Sequence, residues 1–274
     1  MELGKTRENL KVIVNFLLLF FLLQILFWYK IESIKPNLGI VPDLPSKHAA
    51  RALSLGEEEF YFRVKGLRLQ NAGDTFGRVT PLKNYDYKKL YQWFSFLDTI
   101  NPRSHYIPAL AGNYYSNSQN PEDSRYIVKY LEEHYDFNPE GNWWWLYQAI
   151  YLATYKLKDQ DLTMRLAYKL AETSGENAPT WTKQMAAIMH SKFGQHCESL
   201  RVINNILNEY ESGKSNISDE DINFMLYFIN NRLKAMKEEG FDPKSCDYTM
   251  DAEKNLKLRD EKKYRDPRFK MKRK

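Results

Sequence analysis

NPEGNWWWLYQAIYLATYKL, residues 138–157, is the stretch that decides the fold class. Its Asn138-Pro139 pair marks a boundary, because the residue before a proline avoids the helical region. Beyond Gly141, neither glycine nor proline interrupts a run in which aromatic residues are mixed with alanines. Small side chains allow neighbouring helices to approach closely, and large ones fill the space between them. We therefore predict a helix over residues 143–157.

Three consecutive tryptophans, Trp143, Trp144 and Trp145, stand at the start of this helix. On a helix, three consecutive residues spread over about 200° of arc, so they cannot all face one core. We expect one or two of them in the core, and at least one facing a neighbouring helix, a groove or a partner. Tyr114-Tyr115 form a weaker version of the same pattern.

Further helical segments lie on both sides of this stretch. In each, apolar residues recur at helical spacing, and most segments end at Asn, Pro, Ser or Gly residues. Residues 71–84 break the pattern and are expected to form a loop. The predicted helices cover residues 54–70, 86–100, 105–118, 120–137, 161–173, 180–193, 198–211 and 218–239.

The first of these helices is predicted to open at a capping box formed by Ser54 and Glu57. In a capping box, a serine and an acidic side chain three residues later satisfy free amide groups at the helix start. Phe60, Val64 and Leu67 then follow at helical spacing and share one apolar face.

The last helix has the strongest start signals. Ser218 and Asp221 are positioned for a second capping box, and Ile217 and Ile222 for a hydrophobic staple across it. The apolar pattern continues to the end of the helix, just before Gly240.

The breaks recur at regular intervals. Pro102, Pro139 and Pro179, 37 and 40 residues apart, each precede a helix that is rich in aromatic and small residues. At these residues the chain resembles a degenerate tetratricopeptide-repeat protein, whose repeat of 34 residues is a pair of helices. The resemblance implies an all-α fold, a TPR-like α-solenoid of about four helical hairpins. Residues 55–78 and the tryptophan triplet also make the chain similar to uncharacterised bacterial proteins that have one N-terminal span and a repeat domain.

A long apolar run, VIVNFLLLFFLLQILFWY at residues 12–29, precedes the helical segments. Its 18 residues would span about 27 Å as a helix, close to the thickness of a hydrocarbon core. Trp28 and Tyr29 lie where an interfacial aromatic belt is expected. Because the run exceeds a secretory h-region and ends in bulky residues, an uncleaved signal anchor is favoured over a cleaved signal peptide.

The expected orientation follows from the positive residues around this run. Lys5, Arg7 and Lys11 favour a cytoplasmic N-terminal tail, whereas Lys30 and Lys35 on the other side weaken the preference. We expect a single-pass inner (plasma) membrane protein with its soluble domain in the periplasm. The predicted division is an N-terminal tail (1–11), the anchor (12–29), a proline-containing linker (30–53), the repeat domain (54–240) and a C-terminal tail (241–274).

The formal net charge of +5 belongs to this tail. Residues 253–274 carry eleven Lys/Arg and four Asp/Glu, so the rest of the chain is near −2. The tail could contact anionic lipid, touch nucleic acid or be solvated, and lipid is favoured over nucleic acid because the chain is already tethered.

Few residues indicate catalytic or metal chemistry. His190, His196 and Cys197 lie close in sequence, but zinc sites need four ligands at defined spacings, so we expect exposed turn residues here. Cys197 and Cys246 could form a disulfide in an oxidising compartment, or two unpaired thiols. No arrangement of catalytic residues is evident, and the sequence predicts no cofactor, catalytic residue or metal ligand.

These observations predict a membrane-tethered protein–protein interaction module, an adaptor or scaffold of the bacterial envelope, which binds a peptide or protein in a solenoid groove. The alternative is an envelope enzyme or accessory subunit acting on cell-wall or surface polymers. Simple packing between repeats is the alternative explanation for the aromatic residues. The candidate groove residues are Tyr114, Tyr115, Trp144, Tyr147 and Tyr151.

Overall fold

Short polar caps and apolar stripes divide the chain into a series of helices, as seen in a computed structural model. It describes residues 2–31, 39–75, 78–175, 178–213, 217–242 and 245–246. Within these residues the fold is all-helical, apart from one antiparallel pair of two-residue strands, β1 (Asp74–Thr75) and β2 (Arg78–Val79). The eleven α-helices are α1 (Glu2–Ile31), α2 (Lys47–Ser54), α3 (Glu58–Gln70), α4 (Tyr87–Asp98), α5 (Tyr106–Ala109), α6 (Asp123–Phe137), α7 (Pro139–Leu152), α8 (Gln160–Thr173), α9 (Met185–Lys192), α10 (His196–Glu211) and α11 (Asp219–Glu238).

Two of the helices end in wider turns. Helix α5 continues through a π-helical turn (Leu110–Tyr114) and a 3-10 turn (Tyr115–Asn117), and α7 continues through a π-helical turn (Ala153–Leu157). The first region is thus helical over residues 106–117 of the predicted 105–118, and the second over all of the predicted 143–157, but the residues per turn change near the end of each. Such π-helical turns alter the direction of the side chains that follow and are frequent at functional sites.

Helix α1 contains the apolar run. Its segment Lys11–Ile31 has 21 residues and contains an 18-residue window with a mean hydropathy of 2.3, none of it buried against the rest of the protein. A helix of this length and composition can cross a hydrocarbon core of about 30 Å. Among the described residues, it is the one helix that meets this criterion.

The start of the helical domain differs from the prediction. Residues 47–53, expected in the linker, form α2 together with Ser54. The cap of α2 is Ser46, whose hydroxyl accepts a hydrogen bond from the amide of Ala49 at 3.2 Å. Ser54 ends α2 instead of opening the next helix, and its hydroxyl donates to the carbonyl of Arg51 at 2.8 Å. Helix α3 begins at Glu58 without a side-chain cap. The capping box predicted at Ser54 is therefore wrong, because its serine is used by the preceding helix.

Four other helices begin at a side-chain cap, of which Ser218 is the one predicted from the sequence. Asp86, Asn138, Asp159 and Ser218 each accept a hydrogen bond from an amide in the first turn of α4, α7, α8 and α11, respectively. The staple residues beside Ser218 are both buried, as predicted. These caps satisfy amide groups that have no partner inside the helix, which is why they mark helix starts reliably. Helix α6 begins three residues later than predicted, at Asp123.

The core has two parts. The larger part is formed by residues of α3 to α9, and the smaller by α10, α11 and one alanine of α9. From α6 to α11, each helix packs against the next helix in the chain, and α4 packs against α6. Helices that are neighbours in sequence are therefore neighbours in space over this half of the molecule.

A polar cluster is buried between α4 and α6. Asp98 accepts hydrogen bonds from the hydroxyl of Tyr130 at 3.0 Å and from Nδ1 of His134 at 2.7 Å. All three side chains are fully buried. Burial raises the pKa of Asp98, although the bonds to His134 and Tyr130 oppose this. A buried carboxyl group needs such donors, so the cluster fixes the register of α4 against α6.

Cys197 and Cys246 form a disulfide, with their Cα atoms 5.3 Å apart. The bond joins the start of α10 to the segment that follows α11. It thereby closes the smaller part of the core at one end. Of the two alternatives left open by the sequence, the structure has the paired form.

Candidate functional site: an aromatic groove

A groove of about 690 Å³ lies between α7 with its π-helical turn, the region of α9, and the start of α11. A volume of this size is within the range of protein ligand sites. Most of its lining is aromatic or aliphatic. The lining residues are Trp144, Tyr147, Ile150, Tyr151, Thr154, Tyr155, Trp181, Met185, Ile188, Met189, Asp221 and Phe224.

One wall is an aromatic stripe along α7 and its π-helical turn. Trp144, Tyr147 and Tyr151 are spaced by three and four residues, and Tyr155 continues the stripe by another four. Ring centroids are 5.4 Å apart for Trp144 and Tyr147, and 4.8 Å for Tyr151 and Tyr155. Trp144, Tyr151 and Tyr155 are 43%, 50% and 52% exposed. The rings thus support one another while half of each surface faces solvent.

The facing wall is built around Trp181. Its ring makes edge contacts with Trp143 at 5.4 Å and Tyr147 at 5.1 Å between centroids. Trp181 lies in a 3-10 turn (Thr180–Thr182), which is held by the buried hydroxyl of Thr182 hydrogen-bonded to that of Ser174 at 2.8 Å. The tryptophan is therefore fixed by the turn, and edge contacts of this kind add to the stability of the aromatic cluster.

The floor is apolar and its polar atoms have partners. Ile150, Met185 and Met189 are buried in the floor. The Thr154 hydroxyl donates to the carbonyl of Ile150 at 2.7 Å, as a helical threonine commonly does. A ligand on this floor would meet mainly methyl, thioether and ring surfaces.

Two charged side chains, Lys192 and Asp221, lie at the groove. Nζ of Lys192 lies 4.2 Å from the ring centroid of Tyr155, a distance typical of a cation–π contact. Asp221 lines the side formed by α11, where its Oδ2 accepts a hydrogen bond from the hydroxyl of Ser218 at 2.6 Å. The carboxylate is thus engaged at the helix start, where negative charge is favoured.

This arrangement is suited to binding. Exposed aromatic rings over an apolar floor gain free energy by burying apolar surface and by ring stacking, without a reacting group. Among the described residues that line the groove, Asp221 is the single ionisable acid. A contiguous, half-exposed aromatic surface on an otherwise packed helical domain is typical of an interaction site.

The structure brings together three of the five candidate residues, Trp144, Tyr147 and Tyr151. Tyr115 is 0% exposed, and its hydroxyl donates to the carbonyl of Leu69 at 2.5 Å. Burial raises the pKa of Tyr115 well above its ordinary value. Its assignment to the groove is corrected, because the helical run after α5 turns this side chain into the core. Tyr114 is partly exposed but stacks edge-on against Tyr115, away from the groove lining.

The tryptophan triplet divides as the helix geometry requires. Trp145 is buried and its Nε1 donates to Nδ1 of His105 at 3.0 Å. Trp143 is half-buried against the core, and Trp144 faces the groove. The prediction that at least one ring faces outward is confirmed.

Sequence reasoning missed several lining residues. Tyr155 had a usable signal, since it continues the stripe four residues after Tyr151. Trp181 was recognised only as the aromatic residue of a repeat, and its contact with Tyr147 depends on how α7 and α9 pack. Phe224 is on α11, far away in sequence, and no local pattern assigns it to the groove.

The histidine–cysteine segment is not an exposed turn, as had been expected. His190 and His196 are buried. His190 hydrogen-bonds to the hydroxyl of Tyr168 at 2.7 Å and His196 to the carboxylate of Glu239 at 2.8 Å, while Cys197 is in the disulfide. The three side chains thus have separate partners, because their helices pack against α8 on one side and α11 on the other.

Comparison with protein-family models, with curated proteins and with solved structures finds no match to this chain.

Proposed function

We propose that this protein is a membrane-tethered interaction module that binds a peptide segment of another protein in the aromatic groove. The observation that carries the proposal is the row of half-exposed rings along α7, opposite Trp181 and above an apolar floor. Tyrosine and tryptophan are enriched at binding hot spots, since they offer large rigid surfaces at low cost in conformational entropy.

The proposed architecture is the TPR-like α-solenoid of about four helical hairpins suggested by the repeated prolines. Successive packing of neighbouring helices from α6 to α11 supports it. In such a solenoid, stacked helix pairs present an extended surface, and peptide recognition is its common use. The groove crosses α7, α9 and α11, that is, alternate helices of the series, as expected for one face of a stack.

The proposed location is the bacterial envelope, with the helical domain on the periplasmic side. A disulfide persists in oxidising compartments and is rare in the cytosol, so the Cys197–Cys246 bond supports this side. The apolar helix supplies the tether. The protein would then act as an adaptor or scaffold for an envelope partner.

The test is site-specific crosslinking in intact membranes. A photoreactive benzoylphenylalanine replaces Tyr151 in the groove or Tyr227, a somewhat more exposed tyrosine on α11 outside the groove lining. We expect a discrete protein adduct from position 151 and none from 227. Adding Trp144→Ala should weaken binding of the captured partner about 10-fold or more, as for a typical hot-spot residue.

Trp144 is 43% exposed and lies outside the core cluster, so its replacement should keep the helical circular dichroism and a cooperative thermal unfolding. Loss of the adduct in a folded variant therefore reports on binding. Equal adducts at 151 and 227, or binding unaffected by Trp144→Ala, would contradict the groove. An adduct with a glycan polymer in place of a protein would favour the enzyme or accessory subunit acting on envelope polymers.

A further inference from the structure

Helix α3 carries an exposed apolar stripe that the groove does not use. Phe60, Val64 and Leu67 are 68%, 44% and 54% exposed. Their spacing of four and three residues places all three side chains on one face of the helix. Three large apolar side chains in a row on a solvent-facing helix indicate an interaction surface.

The opposite face of α3 holds the helix in this orientation. Phe62 and Leu69 are buried in the core, and the ring of Tyr106 packs closely against Gly66. The outward stripe is therefore fixed by packing of the inward one. It follows that the apolar residues predicted on one face of this helix are not its buried residues.

Two more exposed apolar side chains lie at the end of α2, five and seven residues before Phe60 in sequence. Leu53 and Leu55 are exposed, Leu55 to 89%, the highest exposure of any large apolar residue described. Leu55 also adopts a left-handed backbone conformation with φ of 50°. Glycine or asparagine is usual at such a position, and a bulky residue there is worth a functional explanation. An exposed leucine at this corner suits insertion into an apolar medium.

Positive side chains border the stripe. At 100° per residue, Arg63 and Arg68 lie on opposite sides of the stripe, each about 70° from its centre. Both are exposed, and Arg63 also pairs with Glu59 at 2.8 Å. Over residues 47–70 there are five Lys/Arg and three Glu. An apolar face flanked by arginines is the pattern of a helix that lies in the surface of an anionic bilayer.

The apolar helix α1 makes a lipid bilayer the partner that we expect for the exposed apolar side chains of α2 and α3. Fifteen residues separate Ile31 at the end of the apolar helix from Lys47 at the start of α2. Even fully extended, they reach about 50 Å, which limits how far α2 and α3 can lie from the end of the apolar helix. A surface held this near meets lipid at high effective concentration, which a soluble partner does not have.

We propose that α2 and α3 form a membrane-surface contact, in which Leu53, Leu55, Phe60, Val64 and Leu67 enter the interface of an anionic bilayer. Arg63 and Arg68 face the headgroups, their aliphatic stems lying along the apolar surface. This contact orients the domain on the membrane. It is independent of what occupies the aromatic groove.

The experiment uses the full chain in vesicles of phosphatidylcholine and phosphatidylglycerol, with a nitroxide label on Leu67→Cys. The native cysteines are paired, so the added thiol is labelled selectively. Power-saturation spectroscopy measures collision with oxygen, which is lipid-soluble, against a water-soluble nickel chelate. The matched control label is on Tyr227→Cys, an exposed residue of α11.

We expect the ratio of the label's accessibility to oxygen over its accessibility to the nickel chelate to be several-fold higher at position 67 than at position 227. At position 67 this ratio should fall at least two-fold in the Arg63→Gln, Arg68→Gln variant. Equal ratios at the two positions would overturn the proposal. So would dipolar broadening at position 67 that disappears on dilution with unlabelled protein, since it would show a second copy on this surface. An unchanged ratio in phosphatidylcholine alone would contradict the role of anionic lipid.

Discussion

Glu132 shows how a single side chain joins two helices that are not consecutive in the chain. Its carboxylate accepts two hydrogen bonds from Arg165, at 2.6 and 2.8 Å, and one from Lys169 at 3.1 Å. Glu132 is on α6 and both partners are on α8, so the ion pairs bridge helices that are not consecutive. A two-pronged arginine–carboxylate pair fixes geometry as well as adding free energy.

The first prediction concerns this carboxylate and pH. Partial burial pushes the pKa of Glu132 up, but the bonds from Arg165 and Lys169 outweigh it, so the pKa lies below the ordinary 4.5. The ionised form therefore stabilises the fold above about pH 4.5, and this contribution is lost as pH falls through the lower folded-state pKa. Because Arg165 is more than half exposed, Glu132→Gln should lower the free energy of unfolding by only about 1 kcal/mol at pH 7.

Urea unfolding, followed by circular dichroism at about pH 7 and about pH 3, measures this difference. The gap between the two proteins should narrow strongly at the lower pH. Glu172→Gln, which removes an exposed carboxylate of α8, serves as the control and should change little at either pH. A pH-independent gap for Glu132→Gln would contradict the ion-pair explanation.

At the scale of elements, α10 and α11 form a unit with its own apolar core. Their buried residues cluster separately from those of α3 to α9, and the disulfide closes the unit beyond α11. Helix α11 also provides Phe224 and Asp221 to the groove. The stability of this unit therefore bears on the shape of the binding site.

The second prediction concerns the disulfide. The bond closes a loop with a sequence separation of 49, for which the chain-entropy model gives about 4 kcal/mol. The Cys197→Ser, Cys246→Ser variant should therefore unfold at lower denaturant concentration. Hydrogen exchange should be faster in α10 and α11, while α6 and α7 keep their protection, because the two parts of the core are separate.

Ser245→Ala, next to the disulfide, is the matched control and should leave exchange in α11 nearly as in the parent protein. Equal protection of α11 with and without the disulfide would show that packing alone holds the unit. Uniform loss of protection across all helices would show that the two core parts unfold as one.

At the scale of the whole molecule, the disulfide bears on the proposed topology, in which the helical domain lies on the oxidising side of a membrane. Cys197 and Cys246 follow the span in sequence, so both are on the same side as the helical domain. Thiols in the cytosol are kept reduced, whereas a periplasmic pair is oxidised. The redox state of this pair in cells is thus a measure of topology.

The third prediction is that the pair is oxidised in growing cells. After acid quenching, a maleimide polymer should shift the protein on a gel only when a reductant is added first. The Cys197→Ser, Cys246→Ser variant should not shift under either condition. A shift of the parent protein without reductant would place the domain on the reducing side and contradict the proposed orientation.

The local features of the chain were predictable from sequence. Asp86, Asn138 and Ser218 act as caps because a side-chain oxygen satisfies a free amide a few residues away. The apolar run near the N-terminus needs only length and hydropathy to be recognised. Such features depend on residues within one helix or one turn, so no knowledge of the packing is required.

The binding site was predictable only where it follows a single helix. Trp144, Tyr147 and Tyr151 share one face of α7, and the structure places them together. Tyr115 was misassigned because the sequence of a tyrosine pair does not show whether its side chains face solvent or the core. Trp181 and Phe224 line the groove because separate parts of the chain pack together. Residue spacing within one helix does not predict such contacts.

The amino-acid sequence by itself determined that the protein is helical, where most helices begin and end, and that one apolar helix precedes the domain. The tertiary structure decided which face of α3 is buried, that the two cysteines pair, and which rings share a groove. The reason is the range of the forces involved. Capping and periodicity act over a few residues, whereas burial depends on which distant surface a helix meets, and a helix such as α3 with two apolar faces can satisfy either choice.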